Sequence, residues 1–346
     1  VVEAQRRCSP RRASHHGLGM DPLVTRTLGS RIRAVADWMV DAPRATTALS
    51  LLRAVIGVVS AALYIRQYAG RSTFFGPDGV YGLEGIRDYT AGIGTWSLYA
   101  ASESAVFFEV VFHIGLVVAL LVTLGVGGRP VLAAHYVLLW SLYMANPAFM
   151  DGGDALAASA VLFLLLTRCY SAFTIVKGRR NREAGPFASV LNNTGLLLLV
   201  TQVTVVYLMA GLYKVQGELW QDGTALYYIL NVPEFFLPGI TPLLVQSDWL
   251  MVIGAYVTVL TSVFFPVLVF FRAGRPVAVT AMLTFHLAIA LLMGLTSFAL
   301  VMAAFDLLFV NAHVVGLQRR ARSLWDGAAA RISARLQREG HSAESA

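Results

Sequence analysis

From residue 47 to residue 315 the chain is a succession of apolar stretches, and that succession constrains its fold more than any other feature. A bilayer core takes about 20 apolar residues per helix. Stretches of that order fall at roughly 46–65, 105–125, 130–146, 155–171, 193–213, 249–271, 276–294 and 297–315. The pattern predicts an all-α, polytopic integral membrane bundle of about eight transmembrane helices. Composition agrees: 57% of the 346 residues are hydrophobic and 14% charged, where a soluble domain carries roughly 25% charged residues. The last two stretches are separated only by the region Gly294–Ser297, so they form either a tight helical hairpin or one broken element.

The net charge of +7 raises nucleic acid as a partner, but the placement of the cations argues against it. With the N-terminus inside, the termini and alternate loops hold 22 of the 27 lysines and arginines. The outer loops receive Arg66, Arg71, Arg87 and Lys214, and Arg53 lies within the first stretch. Such bias follows the positive-inside rule, so both termini are expected to be cytoplasmic, with membrane lipids and their anionic headgroups as the partner of the excess charge. Residues 1–21 are basic, lack the apolar core of a signal peptide, and read as a disordered or non-native extension, with translation starting at Val1 or Met20. Residues 22–44 place Leu28, Ile32, Val35 and Met39 on one stripe and Arg26, Arg31 and Arg33 elsewhere, the pattern of an interfacial amphipathic helix. Residues 45–315 form the transmembrane domain and 316–346 a basic cytoplasmic tail. Cys8 and Cys169 are far apart, which fits neither a disulfide nor a metal site.

Ionisable groups inside apolar spans are expensive and face a protein interior or a wet cavity. Here they are Arg53, Glu109, His113, His135, His286 and Asp306, with Lys214 at a span's end. Leaving them unpaired costs several kcal/mol, so pairing is expected. Glu109 and His113 are four apart and share a helix face. Arg53 needs a counter-ion, which Glu109 or Asp306 could supply. Arg53, Glu109, His113 and Asp306 are therefore expected to form a structural polar network. Asp151 and Asp154 could bind a cation or cap the following helix, and capping by Asp154 is the expected role. No His-x-x-x-His, Cys-x-x-Cys, Gly-x-Ser-x-Gly or phosphate-loop string occurs, and no metal is expected.

Lys214 stands apart. It and Lys177 are the only lysines. A lysine held where water is scarce can exist as a neutral amine, which arginine cannot. It ends an apolar run whose Tyr207 and Gly211 lie on the same face, and Gly211 admits close approach by another backbone or a flat ligand. The competing reading is a lysine that reaches to the headgroups from a helix end.

The segment Ala210-Gly211-Leu212-Tyr213-Lys214-Val215, with Trp220 and Gly223, resembles the bacterial horizontally transferred transmembrane (HTTM) domain family, relatives of vitamin K-dependent gamma-glutamyl carboxylase. Phe285-His286-Leu287, then Met293-Gly294 and Phe298, is similar to a late segment of that family, as are Phe75-Gly-Pro-Asp-Gly79 and Asp151-Gly-Gly-Asp154. The resemblance covers roughly residues 45–315 and extends to the sporulation-delaying-protein B family, which is needed to mature a secreted peptide toxin. It implies a catalytic base at Lys214, a cavity for a reduced, menaquinol-like quinone contacted by His286, Tyr207, Gly211 and Trp220, and a bacterial inner-membrane location. The chain departs from the carboxylase at Gly152-Gly153, where that enzyme carries a histidine, and the carboxylase's large substrate-docking domain is not expected after residue 315.

Three functions are thus expected of such a chain. The first is quinol-dependent modification or maturation of a secreted peptide by a carboxylase-like core, with an accessory membrane protein as partner. The second is a non-catalytic membrane accessory or immunity factor of a peptide-toxin system. The third is a quinone-binding partner of an electron-transfer complex.

Overall fold

The computed structural model describes residues 22–176, 184–320 and 323. Expectations for residues 1–21, for the basic stretch 177–183 and for most of the 316–346 tail fall outside them, as do those for the side chains of Leu28 and Ile32. Among the described residues every regular element is helical. In order they are α1 (Pro22–Asp41), α2 (Thr46–Arg66), α3 (Arg71–Phe75), α4 (Gly82–Gly92), α5 (Ala105–Leu124), α6 (Arg129–Ala145), α7 (Gly152–Leu164), α8 (Pro186–Gln216), α9 (Glu218–Gln221), α10 (Ala225–Leu230), α11 (Thr241–Val245), α12 (Asp248–Leu268), α13 (Gly274–Met293) and α14 (Thr296–Asp306).

Six of these segments are long and apolar enough to cross a bilayer: α2, α5, α8, α12, α13 and the stretch Thr296–Arg320 that begins with α14. The chain is a multi-pass membrane protein. The other two stretches expected to span are helical but short, with 17 residues in α6 and 13 in α7, against about 20 for a crossing. Outward faces of α12 and α13 expose Trp249, Ile253, Val257, Phe264 and Leu287, as helices immersed in hydrocarbon do. Gly294 closes α13 in the left-handed region, at φ 71°, and α14 starts two residues later, so α13 and α14 form a tight hairpin.

Two apolar cores are strung along α2. Its first half, Ala48 to Val59, packs with α7, α8, α13 and α14, and its second half, Ala61 to Tyr64, packs with α5 and α6. A Cβ on Gly57 would lie 2.6 Å from the backbone nitrogen of Thr123 in α5, so the absence of a side chain permits the close packing of α2 on α5. At the start of α8, Asn193 Nδ2 donates to the carbonyls of Trp38, Met39 and Ala42, while its Oδ1 accepts from the backbone of Arg44. Those carbonyls belong to the end of α1, where intrahelical partners run out, so a buried asparagine ties α1 to the bundle.

The expected polar network separates into parts. Arg53 is fully buried but has neither Glu109 nor Asp306 as counter-ion. Its guanidinium donates to backbone carbonyls instead: Cys169 at 3.1 Å, Thr123 at 3.3 Å, Ala172 at 3.4 Å, and Val122 and Phe173. It also lies 4.9 Å from the centre of the Tyr170 ring. Val122 and Thr123 are in the last turn of α5, whose carbonyls form the negative end of the helix dipole. That concentration of partial charge replaces the carboxylate. Glu109 pairs with Arg71 at 2.9 Å and with His113 at 3.4 Å, half-exposed at the α3–α5 corner. The i,i+4 contact is as expected, but the cation comes from a loop helix. Asp306 belongs to the site described next.

Candidate functional site

The lysine segment ends α8, a helix of 31 residues. Seven residues make almost two helical turns, so Tyr207 and Lys214 come to the same side, and both line a cavity of about 370 Å³. Its other walls come from α9 (Trp220), α12 (Thr258 and Ser262), α13 (Phe285, His286, Ile289), α14 (Phe298, Met302) and the start of α7 (Asp151, Gly152). Four of the five residues assigned from sequence to base and quinone contact, namely Lys214, His286, Tyr207 and Trp220, meet around this one space.

Gly211 does not. It faces α12, where a Cβ would lie 2.9 Å from the backbone nitrogen of Val263 and 3.2 Å from the carbonyl carbon of Ser262. Of the two close approaches that glycine allows, the backbone one is realised. It lets α8 pack closely on α12, whose Thr258 and Ser262 line the cavity.

The Lys214 side chain is half-buried. Its Nζ donates to the carbonyl of Ala210 at 3.3 Å and sits 5.5 Å from the centre of the Trp220 ring. Among the described residues no carboxylate forms an ion pair with it. The amine thus meets an aromatic face and a carbonyl at the cavity wall.

Behind His286, Asp306 is completely buried and both of its oxygens are engaged. The hydroxyl of Tyr207 donates to Oδ1 at 2.8 Å, and Nδ1 of His286 lies 3.1 Å from Oδ2. This replaces the expected role of Asp306 as partner to Arg53. The imidazole is fixed on three sides: Tyr207 stacks on it at 5.9 Å and 27°, and Phe285 and Phe298 meet it at 5.5 and 6.1 Å. Its other nitrogen, Nε2, is buried with no hydrogen-bond partner.

Asp151 was not expected at the wall. It is the N-cap of α7, accepting from Asp154 N at 2.9 Å, while Asp154 accepts from Asp151 N in return. The cap is thus Asp151 rather than Asp154, whose other oxygen accepts from Tyr143 at 2.7 Å. A Cβ on Gly153 would come within 2.9 Å of the Phe298 Cα, so Phe298 occupies the space that a side chain at that position would need. The hydroxyls of Thr258 and Ser262 were also missed, although their i,i+4 spacing on an apolar helix marks one shared face. Among the described residues no cluster of three or more His, Cys, Asp or Glu could hold a metal ion.

Comparison with known proteins places this arrangement. The sporulation-delaying protein SdpB of Bacillus subtilis (strain 168) is 29% identical over 171 residues, 46% of this chain and 50% of that protein. The chain therefore spans about half the length of that relative. The uncharacterized protein YitO of the same organism is 25% identical over 242 residues, 66% of this chain and 75% of its own. No solved structure matches. The HTTM domain model matches residues 99–313, a range that includes Tyr207, Lys214, Trp220, His286 and Asp306, and on that match the chain belongs to the HTTM domain family.

Proposed function

We propose that this HTTM protein binds a flat, reduced lipid quinone in the Lys214–His286 cavity and uses Lys214 as a base in the maturation of a secreted peptide. The observation that carries the reading is the position of Nζ, at the wall of a largely apolar cavity, over Trp220 and without a paired carboxylate. The volume is within the usual range for small-ligand sites, about 300–1,000 Å³.

The residues present fit such a ligand. Aromatic side chains of Trp220, Tyr207, Phe285 and Phe298 suit a planar ring, and His286 Nε2 is an unmatched polar atom beside it. A second cavity of about 450 Å³, walled mainly by leucines and other apolar groups, shares Leu226, Thr258, Phe285, Ile289 and Met293 with the first. It suits an apolar tail. When bound, a reduced quinone would supply electrons and hydroxyl protons. Lys214 Nζ would accept one such proton, with the Trp220 face and the Ala210 carbonyl stabilising the resulting ammonium. Likeness to a sporulation-delaying protein supports a peptide-toxin setting, with a secreted peptide as substrate and an accessory membrane protein as partner. The arginine distribution supports cytoplasmic termini, and α6 and α7 as short additional spans would bring the number to eight.

A second reading, a non-catalytic accessory or immunity factor, is favoured by the bond of Lys214 to its own helix, as a lysine reaching toward headgroups would make. One substitution separates the two. Lys214→Arg keeps the charge but cannot act as a neutral base, and a positioned base contributes about 10²–10⁴-fold to rate. Mass spectrometry of secreted peptides should show loss of the modified product in that strain. Unchanged product would refute the base assignment.

A further inference from the structure

We infer that Asp306 is a positioning residue, which holds His286 with Nε2 as a bare hydrogen-bond acceptor in the cavity and so selects a ligand that presents a hydroxyl rather than a carbonyl. The ligand half of this statement rests on the quinol reading; the positioning half does not.

The hydrogen-bond inventory around the carboxylate leads there. An ionised carboxylate only accepts, and both Asp306 oxygens are engaged, Oδ1 by the Tyr207 hydroxyl and Oδ2 by His286 Nδ1. With Asp306 ionised, the imidazole proton lies on Nδ1. In a neutral ring the opposite nitrogen then keeps its lone pair. Nε2 is buried without a partner, and buried orphan donors are rarer than under-satisfied acceptors. A protonated Nε2 would be such a donor, in surroundings of Phe285, Phe298 and the Tyr207 ring that offer it no strong acceptor.

The orientation is not left to chance. Tyr207 serves twice, stacking on the imidazole and bonding the carboxylate that holds it. Asp306 and Tyr207 thus do for a ring in an apolar bundle what second partners do for histidines elsewhere: they choose the tautomer and fix the plane. His286 on the α13 wall then carries a basic lone pair, and Lys214 on the α8 wall an amine. A reduced quinone, with a hydroxyl on each side of its ring, has donors for both; its oxidised form has only acceptors and meets the Nε2 lone pair with another.

Two measurements on the full chain in nanodiscs test this. The first is nitrogen NMR of protein labelled at histidine, with His286→Gln used to assign the ring. Nδ1 of His286 should be protonated and Nε2 not, and Asp306→Asn should move the proton or mix the tautomers. Tyr207→Phe should leave the ring state as it is. A protonated Nε2 in the wild-type protein overturns the positioning role, and that result needs no variant to fold. An unchanged ring in Asp306→Asn does the same. The second measurement is anaerobic binding of menadiol against its dimethyl ether. The hydroxyl form should bind about tenfold or more tighter to wild type, with the difference lost in Asp306→Asn. If the ring state is as inferred but neither compound binds, the quinol reading falls and the positioning role stands. Equal binding of the two overturns the hydroxyl selection.

Discussion

Replacing Arg53 by methionine isolates the contribution of a cation held by backbone alone. Methionine fills much of the same space without donors. Of the five carbonyls that the guanidinium reaches, Thr123 and Ala172 are at 3.3 and 3.4 Å and count for little; Val122, Cys169 and Phe173 carry the interaction. A hydrogen bond from a charged donor contributes about 1.5–3 kcal/mol, so three lost bonds amount to about 5–9 kcal/mol. Against this, the uncharged side chain no longer bears the desolvation penalty of several kcal/mol for a buried ion. The net destabilisation is then about 3 kcal/mol, near the 3–5 kcal/mol seen when one partner of a buried charge pair is removed. Thermal denaturation in nanodiscs, followed by tryptophan fluorescence, should show Arg53→Met melting several degrees below wild type. Arg53→Lys should fall between them, because an ammonium has three donors and no fork. A methionine variant that melts with the wild type would refute the reasoning, since it would mean that the carbonyls at the end of α5 find other partners at no cost.

Gly211→Ala should cost about 1–3 kcal/mol by overpacking, because the new methyl meets the Val263 side chain at 2.7 Å and, at 2.9 Å, backbone of α12 that cannot move aside alone; thermal denaturation measures it, and menadiol binding should weaken as α8 and α12 part. Asn193→Ala leaves three carbonyls at the end of α1 without their donor, at about 1–3 kcal/mol for each that stays buried, so hydrogen exchange should rise in α1 before it rises in α2. Asp151→Ala removes the cap of α7 and should cost about 0.5–2 kcal/mol; a melting temperature equal to wild type would contradict the capping geometry.

The site was legible wherever chemistry and helical spacing coincide. Tyr207 and Lys214 share a helix side by count alone, and His286 and Trp220 came from motif likeness; these four residues line one cavity. For Gly211 the sequence left a backbone or a flat ligand open, because spacing says which residues share a face but not which helix packs against it, and the backbone of α12 takes that place. Asp306, offered with Glu109 as a counter-ion for Arg53, meets other partners for a similar reason. Ninety-nine residues separate it from Tyr207, and a list of intramembrane charges suggests ion pairs before it suggests a carboxylate shared by a phenol and an imidazole. Arg53 looked in need of an anion because backbone carbonyls do not show in a sequence as charge.

What the amino-acid sequence determined by itself was the class and the ingredients. Long apolar runs leave a chain little choice but helices in a bilayer, and a few ionisable groups among them had to be buried in company. Tertiary structure decided the company. Close approach at Gly57 and Gly211 chose which helices touch, and that choice gave the carbonyls of α5 to Arg53 and the carboxylate of Asp306 to His286 and Tyr207. Pair interactions inside the bundle depend on distances of a few ångströms between segments far apart in the chain, and only packing sets those distances.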